Sequence, residues 1–528
     1  MTTWYFDSIN GSDSNNGTST STPKQNYSAF SLGQAAPGDT FLFKRGTTQT
    51  ITAAYKAVAS GISATSRARY GAYGTAQVPY SIWRYGTTGN IILNAAASSY
   101  IDFEDMYFDM RGTDCRNPLN FASWTTYDTI GNAIRRCFFQ GSNNPSTHSN
   151  AHGLMIQQAF DATGIARDYV VEDCEFFDNE GHGLLLVGAQ NIQVRRCKFY
   201  RNGANDPDGG HGFSARYHRT DATSGWINTA GTIWQLPLAA NQLDVYYLQT
   251  SVYPYYRVRK TAGAQTAPGV GEYGVSGGML YINVNSALNP GGQGIRYAWG
   301  KCSGLLVEQC ESYENYWNQA APYHEGHGFA FDDFSDRSIF IGNKSYNNQG
   351  AGFSINLGDD NKIIGNIAYG NWQPGLVSNP TDRTNVLNNT FYLNNTGTGA
   401  LPGEIYFSGF CRDAVISNNI LISTRPYGIS RETTDTGFIG TTNNILMVGG
   451  GIAEKNAFAT GTVTVDPQLD SLYRPQATPL IRTGAYLGGK DFYGKKFYNP
   501  PNIGAVDDKP GMPRYLLTNR KNQNSTIP

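Results

Sequence analysis

Nine short phrases of this chain close at the same phase of a repeat, on Cys137, Cys174, Cys197, Cys310, Asn343, Asn366, Asn389, Asn419 and Asn444. Each follows a β-type run, as in VVEDC, IQVRRC, LLVEQC, IFIGN and VISNN. An aromatic often sits three positions later, at Phe177, Tyr200, Tyr313, Tyr346, Tyr369 and Tyr392. Cys174 to Cys197, Asn343 to Asn366 and Asn366 to Asn389 are each 23 residues. A fixed period of that size means stacked coils. The runs are too short and too β-branched for helices. A second column, Gly183, Gly352, Gly375 and Gly428, opens another apolar strand nine residues after the Cys or Asn. Each coil therefore holds two or three strands. Like residues stack at about 4.8 Å into inward rows of Cys and Asn, with aromatic stacks beside them. The expected fold is all-β, a parallel β-helix solenoid.

Composition agrees, with 61 Gly, 34 Tyr and only 15% charged residues, the signature of short strands and many turns. A solenoid adds coils without splitting its core, so the 528 residues are read as one long domain with an insertion. A net charge of −1 leaves no basic footprint, and no nucleic-acid partner is expected. The start, MTTWYFDSING, has neither a basic nor an apolar leader region, and no apolar run reaches membrane-spanning length. Synthesis in a cytosol without membrane insertion is the expectation. The seven Cys are odd in number and four stand in the inward column, so a disulfide framework is not expected. No closely spaced Cys pair with matching His suggests structural zinc.

The chain divides into an N-terminal stretch of polar turns and irregular first coils (1–125), regular coils (126–218), an insertion (219–290), further coils (291–465) and a C-terminal cap or tail (466–528). The insertion follows from the 113 residues between Cys197 and Cys310. It is expected to be a β-rich subdomain, rich in Tyr and Trp. GIRYAWGKCSGLLVEQC reads as an ordinary coil starting at Gly294.

The opening WYFDSINGSDSNNGTSTSTP with PGDTFLFKRGT, and the closing LYRPQATPLIRTGA with DFYGKKFYNPPNIGAVD, resemble the two ends of right-handed β-helix proteins of the pectate-lyase-like superfamily. That superfamily includes polysaccharide lyases, glycoside hydrolases, epimerases and bacteriophage tailspike depolymerases. The resemblance implies a carbohydrate-acting protein.

Three coils lengthen the turn before the strand-opening Gly: 16 residues from Cys137 to Gly153, 15 from Cys197 to Gly212 and 18 from Cys310 to Gly328. Such loops leave one edge of the solenoid and can wall a cleft. All seven histidines lie in or beside this zone. His152, His182, His211 and His327 each directly precede the strand-opening Gly, as a wall that binds sugar hydroxyls or transfers protons, or as a stacked turn residue. His324 joins the candidate binding residues. Asp168, Asp336, Asp360, Asp382 and Asp413 recur at one phase and read as turn formers.

Asp332 and Asp333 break the apolar pattern of their strand, and alternation turns Asp332 outward. Glycoside hydrolysis needs two carboxyls. The expected catalytic set is Asp332 and Asp333 with Glu325, His327 and Asp208. Some β-helix glycosidases place the second carboxylate one coil later, where this chain has Asn356. Arg216 and Arg296 are the cationic candidates, with Arg296 expected one coil before Asp332 and Arg216 two. Tyr316, Trp317 and Tyr323 supply candidate stacking surfaces for sugars.

The expected function is a polysaccharide depolymerase acting hydrolytically on a bacterial surface glycan, as a phage tailspike-type enzyme. The expected setting is a virion tail outside the cell after lysis, or a cytoplasm in the alternative reading, with a homotrimer as the usual assembly of such spikes. The rivals are a lyase, for which Ca²⁺ is the expected cofactor, and a non-catalytic glycan-binding spike. No other cofactor is expected.

Overall fold

A computed structural model describes the chain except residues 76–77, 87–90, 124–126, 144–150, 159–163, 205–209, 217, 223, 231–232, 239–244, 251–255, 261–262, 269–271, 284–294, 300–301, 317–325, 333–334, 398–400, 410 and 508–528. One coil shows how the local sequence sets the architecture. Val170–Glu172 is a strand, Asp173 takes φ 55°, Cys174 turns inward, and Glu175–Phe177 is the second strand. Asp178 at φ 54° and Asn179 then make a second corner, and Leu184–Val187 is the third strand. A left-handed residue followed by a buried polar or thiol side chain thus bends the chain twice per coil. Asp, Asn and Gly adopt that conformation at least cost, and Gly342 and Gly365 fill the same position in later coils with φ of 64° and 62°.

Stacking these coils builds three long parallel sheets of fourteen, twelve and twelve strands, here sheets A, B and C in the order the chain visits them within a coil. The expected parallel β-helix is therefore observed. The three inward faces share one continuous core, from Phe6 and Phe41 through Cys137, Cys174 and Cys197 to Ile416 and Ile445. Among the described residues no helix is long and apolar enough to cross a membrane. Of the expected turn-forming aspartates, Asp168, Asp360 and Asp413 take positive φ, whereas Arg337 and Arg383 take it beside Asp336 and Asp382.

The inward row at the A–B corner runs as expected from Cys137 to Asn419. Each Asn amide donates to the next coil's Oδ1, at 3.1 Å from Asn343 to Asn366, 3.1 Å from Asn366 to Asn389 and 3.0 Å from Asn389 to Asn419. The last member is Asn443, not Asn444. Asn443 Oδ1 accepts from Asn419, because the pairing of Ser417 with Thr441 sets the register one residue earlier. All seven Cys are buried free thiols. The outward aromatics Phe177, Tyr200, Tyr313, Tyr346, Tyr369 and Tyr392 also stack as expected, with centroids 4.9–5.1 Å apart.

The B–C corner carries a second amide row. In the row Asn179, Asn202, Asn315, Asn348, Asn371 and Asn394, each Nδ2 but the last donates to the next Oδ1 at 2.7–2.9 Å. Every amide points the same way, and the row ends on Glu404. Its two oxygens take the Asn394 side chain at 2.8 Å and the Asn394 backbone N–H at 3.0 Å. Glu404 is fully buried, and burial pushes its carboxyl up to about 8 against the opposing pull of the Asn394 bonds and the Arg425 charge. The unfolded chain ionises a glutamate near 4.5, so between 4.5 and about 8 the folded state holds a proton that the unfolded state has released. Stability is highest below that window and falls as pH rises through it. We expect the thermal midpoint to drop between about pH 5 and about pH 9, and Glu404→Gln to flatten this slope. An equal slope in both proteins would refute the assignment.

The insertion forms its own eight-stranded, mainly antiparallel sheet, from the strand His218–Ala222 to the strand Ile295–Trp299. It buries Trp226 and Trp234. GIRYAWG therefore belongs to the insertion rather than to a coil. Arg296 pairs in register with Asp221 and Gln249 there, which corrects its expected place on the solenoid face. The C-terminal segment folds back over sheet B, setting Tyr473 against Tyr369 and Tyr392 and burying Ala505 and Val506 with Ile367.

Candidate functional site

Sheet C follows the B–C corner of each coil, and the insertion leaves the chain after its strand Phe213–Arg216. Its strands Phe213–Arg216 and Phe329–Phe331 are direct neighbours, with Ala215 opposite Phe331 and the Asp332 N–H donating to the Ala215 carbonyl at 2.8 Å. Arg216 and Asp332 therefore stand on adjacent rungs. The expectation of a coil between them is corrected, because the whole insertion loops out of a single corner after Arg216. Phe213, Ala215, Phe329 and Phe331 fill the core, which turns Ser214, Ala330, Arg216 and Asp332 outward. Ser214 and Ala330 are inaccessible, whereas Arg216 and Asp332 at the far end stay half-buried.

The polar row continues beyond Asp332. Asn356 Nδ2 donates to Asp332 Oδ1 at 3.2 Å, Asn356 pairs with Asn379, and Ser408 Oγ donates to Asn379 Oδ1 at 2.6 Å. The row reads cation, carboxylate, amide, amide, hydroxyl. Such a set can fix a sugar ring through its hydroxyls and present one carboxylate to it.

The histidines form a stack at the start of the same strands. Rings of His152, His182, His211 and His327 lie 5.0, 4.9 and 4.8 Å apart, within 16° of parallel. Each Nδ1 accepts the backbone N–H of the next coil, ending with Ala351 N to His327 Nδ1 at 2.8 Å. That bond assigns the proton of each neutral ring to Nε2. Desolvation, with a smaller contribution from the Arg216 charge, lowers His152 to about 3. Desolvation, the neighbouring rings and Arg216 push His182 well below its ordinary value. His152 and His211 are 2% and 1% exposed, so burial withdraws both from any ligand and corrects their expected sugar-binding role. His182 and His327 remain half-buried. His327 precedes Asp332 by five strand residues, about 16 Å, too far for a shared proton transfer.

Tyr316 lies at the B–C corner instead. Its N–H donates to Asn202 O at 2.8 Å and its carbonyl accepts from Gly210 N at 3.2 Å, which pins the ring's backbone on both sides. A Cβ on Gly203, at φ 89°, would come within 2.3 Å of Gly210 N, so the close approach of these turns requires glycine. Tyr316 lines a cleft of about 410 Å³ with Ser142, Asn143, Asp178, Glu180 and Arg201. Arg201 Nε holds Asp178 at 2.7 Å, and Glu180 is 5% exposed. Glu180 was not among the expected site residues. Its signal is the phrase EGHG, which occurs at 180–183 and again at 325–328. Asp208, His324, Glu325, Trp317, Tyr323 and Asp333 lie outside the described residues.

A family model described as periplasmic copper-binding protein (NosD) matches residues 244–423. The described donors of that span do not form a copper site. Cys302, Cys310 and Cys411 are buried, His327 Nδ1 already accepts from Ala351, and among the described residues no three His, Cys, Asp or Glu converge. No curated protein matches the sequence. Among solved structures, XylC in complex with xylose is similar with a TM-score of 0.51 at 8% identity, over 96% of this chain and 98% of that one. The A-module of the mannuronan C-5 epimerase AlgE6 of Azotobacter vinelandii gives 0.48 at 13%, over 83% and 93%. Pectate lyase Pel9A gives 0.42 at 14%, over 96% and 97%. The likeness to XylC is one of fold, end to end in both chains. The protein is a parallel β-helix whose fold is similar to that of XylC.

Proposed function

We propose that this protein is a polysaccharide depolymerase whose reactive carboxylate is Asp332. The observation that carries the reading is the placing of Asp332 on the outward face of sheet C, with Arg216 on the preceding rung and the Asn356 amide bonded to it at 3.2 Å. Arg216 supplies the positive charge and Asn356 the hydrogen bond that an ionised carboxylate takes. The xylose in the XylC complex supports a sugar as ligand of this fold.

In hydrolysis Asp332 acts as nucleophile or base, and Asp333, Glu325 or Asp208 supplies the proton to the leaving oxygen. The adjacency of Arg216 and Asp332 favours a second reading. The guanidinium neutralises a uronate carboxylate while Asp332 removes the acidified C5 proton; the C4–O4 bond breaks as the C4=C5 double bond forms, and the departing oxygen takes a proton from water. Calcium belongs to that lyase reading alone. In either case the target we assign is a bacterial capsule, O-antigen or exopolysaccharide, met by a trimeric virion spike. A mass of one chain by light scattering would remove the trimer from this proposal.

The test is incubation with a panel of such glycans and of polyuronates, reading reducing ends and ultraviolet absorbance of unsaturated products together. Reducing ends alone mean hydrolysis, and both together mean elimination. Binding without either product leaves a non-catalytic spike and overturns the proposal.

A further inference from the structure

A groove of about 480 Å³ lies on the outward face of sheet A, a different face from the one that carries Asp332. It is lined by Arg337, Ile339, Asp360, Lys362, Arg383 and Asn385. We propose that this groove is a second, non-catalytic binding site for an anionic polysaccharide strand. The inference takes from the preceding reading only the class of partner.

Three cations and one carboxylate line the groove. Arg383 engages Asp360 at 2.6 and 2.9 Å, with a longer contact to Asp359 at 3.4 Å, so that carboxylate is already neutralised. Arg337 is 61% exposed, and its salt bridge to Asp336 is long at 3.8 Å. Lys362 projects from the floor between them and is exposed. The neighbouring acids are largely covered and already engaged. Asp359 Oδ1 accepts the Asp382 N–H, Asp382 is held by Arg412, and Asp336 is 13% exposed. The accessible charge of the groove is therefore positive.

Its spacing comes from the coils. Ile339, Lys362 and Asn385 are consecutive partners in sheet A, and Arg337 and Arg383 precede the first and third. The two guanidinium-bearing corners are thus two coils, about 10 Å, apart along the solenoid. That is close to a disaccharide unit of an extended chain, and the floor between them offers Ile339 to the C–H face of a sugar. An extended polyuronate carries one carboxylate per sugar and turns alternate ones to the same side, so every second carboxylate meets one of these corners. A nucleic acid needs a broader basic footprint than these three cations, and the chain's net charge is −1.

The experiment uses Asp332→Asn protein, so that no probe is cleaved, with polygalacturonate and alginate as probes and dextran as the neutral control. Affinity electrophoresis and calorimetry are expected to show binding of the polyanions that weakens with salt. The added pair Arg337→Ala and Lys362→Ala is expected to weaken it at least about tenfold, with the melting midpoint unchanged. Unchanged affinity in that variant overturns the proposal, as does loss of all binding on Arg216→Ala, which would place the anion on sheet C. A fall in molecular mass with the paired substitution also overturns it, since the face would then join copies of the chain. Absence of cleavage in every glycan assay would defeat the catalytic reading and leave this result standing.

Discussion

Asp332→Asn is expected to lower glycan cleavage by about 10³-fold while leaving the fold intact. The substitution keeps shape and volume, and the new side-chain carbonyl can still accept the Asn356 amide that now reaches Asp332 at 3.2 Å. It removes the charge that faces Arg216 and the capacity to take a proton or attack a sugar carbon. A polar surface substitution of this kind changes stability by about 0.5 kcal/mol. Activity and melting midpoint should therefore separate cleanly. Arg216→Ala is expected to cost less, about 10- to 100-fold, and its effect divides the two chemistries. In elimination the loss falls mainly on uronate substrates. In hydrolysis it falls on neutral ones as well. Retention of cleavage within about tenfold in Asp332→Asn would remove this residue from the chemistry.

The largest effect on stability is expected at the second amide row. Asn371 Oδ1 accepts the Asn348 backbone N–H at 3.0 Å and the Asn348 side chain at 2.9 Å. Its own Nδ2 donates to Asn394 Oδ1 at 2.7 Å and to the Ser345 carbonyl at 3.1 Å. All of these groups are buried. Asn371→Ala removes all four of these bonds, although Asn348 Nδ2 keeps Ser312 O and Ser345 Oγ and Asn394 Oδ1 keeps the Asn371 backbone N–H; at about 1 kcal/mol per bond a loss of about 4 kcal/mol is expected. Cys174→Ala in the other row removes a small thiol from an apolar site and is expected to cost about 1–2 kcal/mol. A solenoid's stability is carried by contacts between neighbouring coils, so the damage should be local. Hydrogen exchange is expected to accelerate across the coils flanking Asn371. A shift in urea stability smaller than that of Cys174→Ala would show that the row contributes little.

The period of 23 residues made the solenoid, the Cys and Asn row and the aromatic stack legible, because identical phases of successive coils must meet. The second row carried an equally regular signal, an Asn two residues after each stacking aromatic, from Phe177 and Asn179 to Tyr392 and Asn394. It was obscured because the turns after Asn202 and Asn315 vary in length and break the period that follows. Asn443 and Asn444 are adjacent, and only the strand register chooses between them. Arg296 sits in a strand-like run that fits a coil as well as it fits the insertion. Its antiparallel partners, far along the chain, decide the matter. Asp332 was legible as an acidic break in an apolar strand. Arg216 was legible as a cation of the same face but its adjacency to Asp332 was not, since the distance along the chain says nothing of how many coils an insertion contains.

The one-way row of amides that ends on Glu404 also makes the molecule a device that counts in whole units. Every coil between Asn179 and Asn394 receives two hydrogens from the coil before it and passes two to the coil after it, one from the backbone and one from the side-chain amide. Removing one complete repeat would bring the preceding amide onto the following one with nothing left unmet, and duplicating one would do the same. A fraction of a repeat would strand a donor in the core. Lengthening or shortening of this rod by descent is therefore confined to steps of one coil, while the acceptor at the end stays fixed. Change of smaller size is left to the corners, where the turns after Cys137, Cys197 and Cys310 already differ in length.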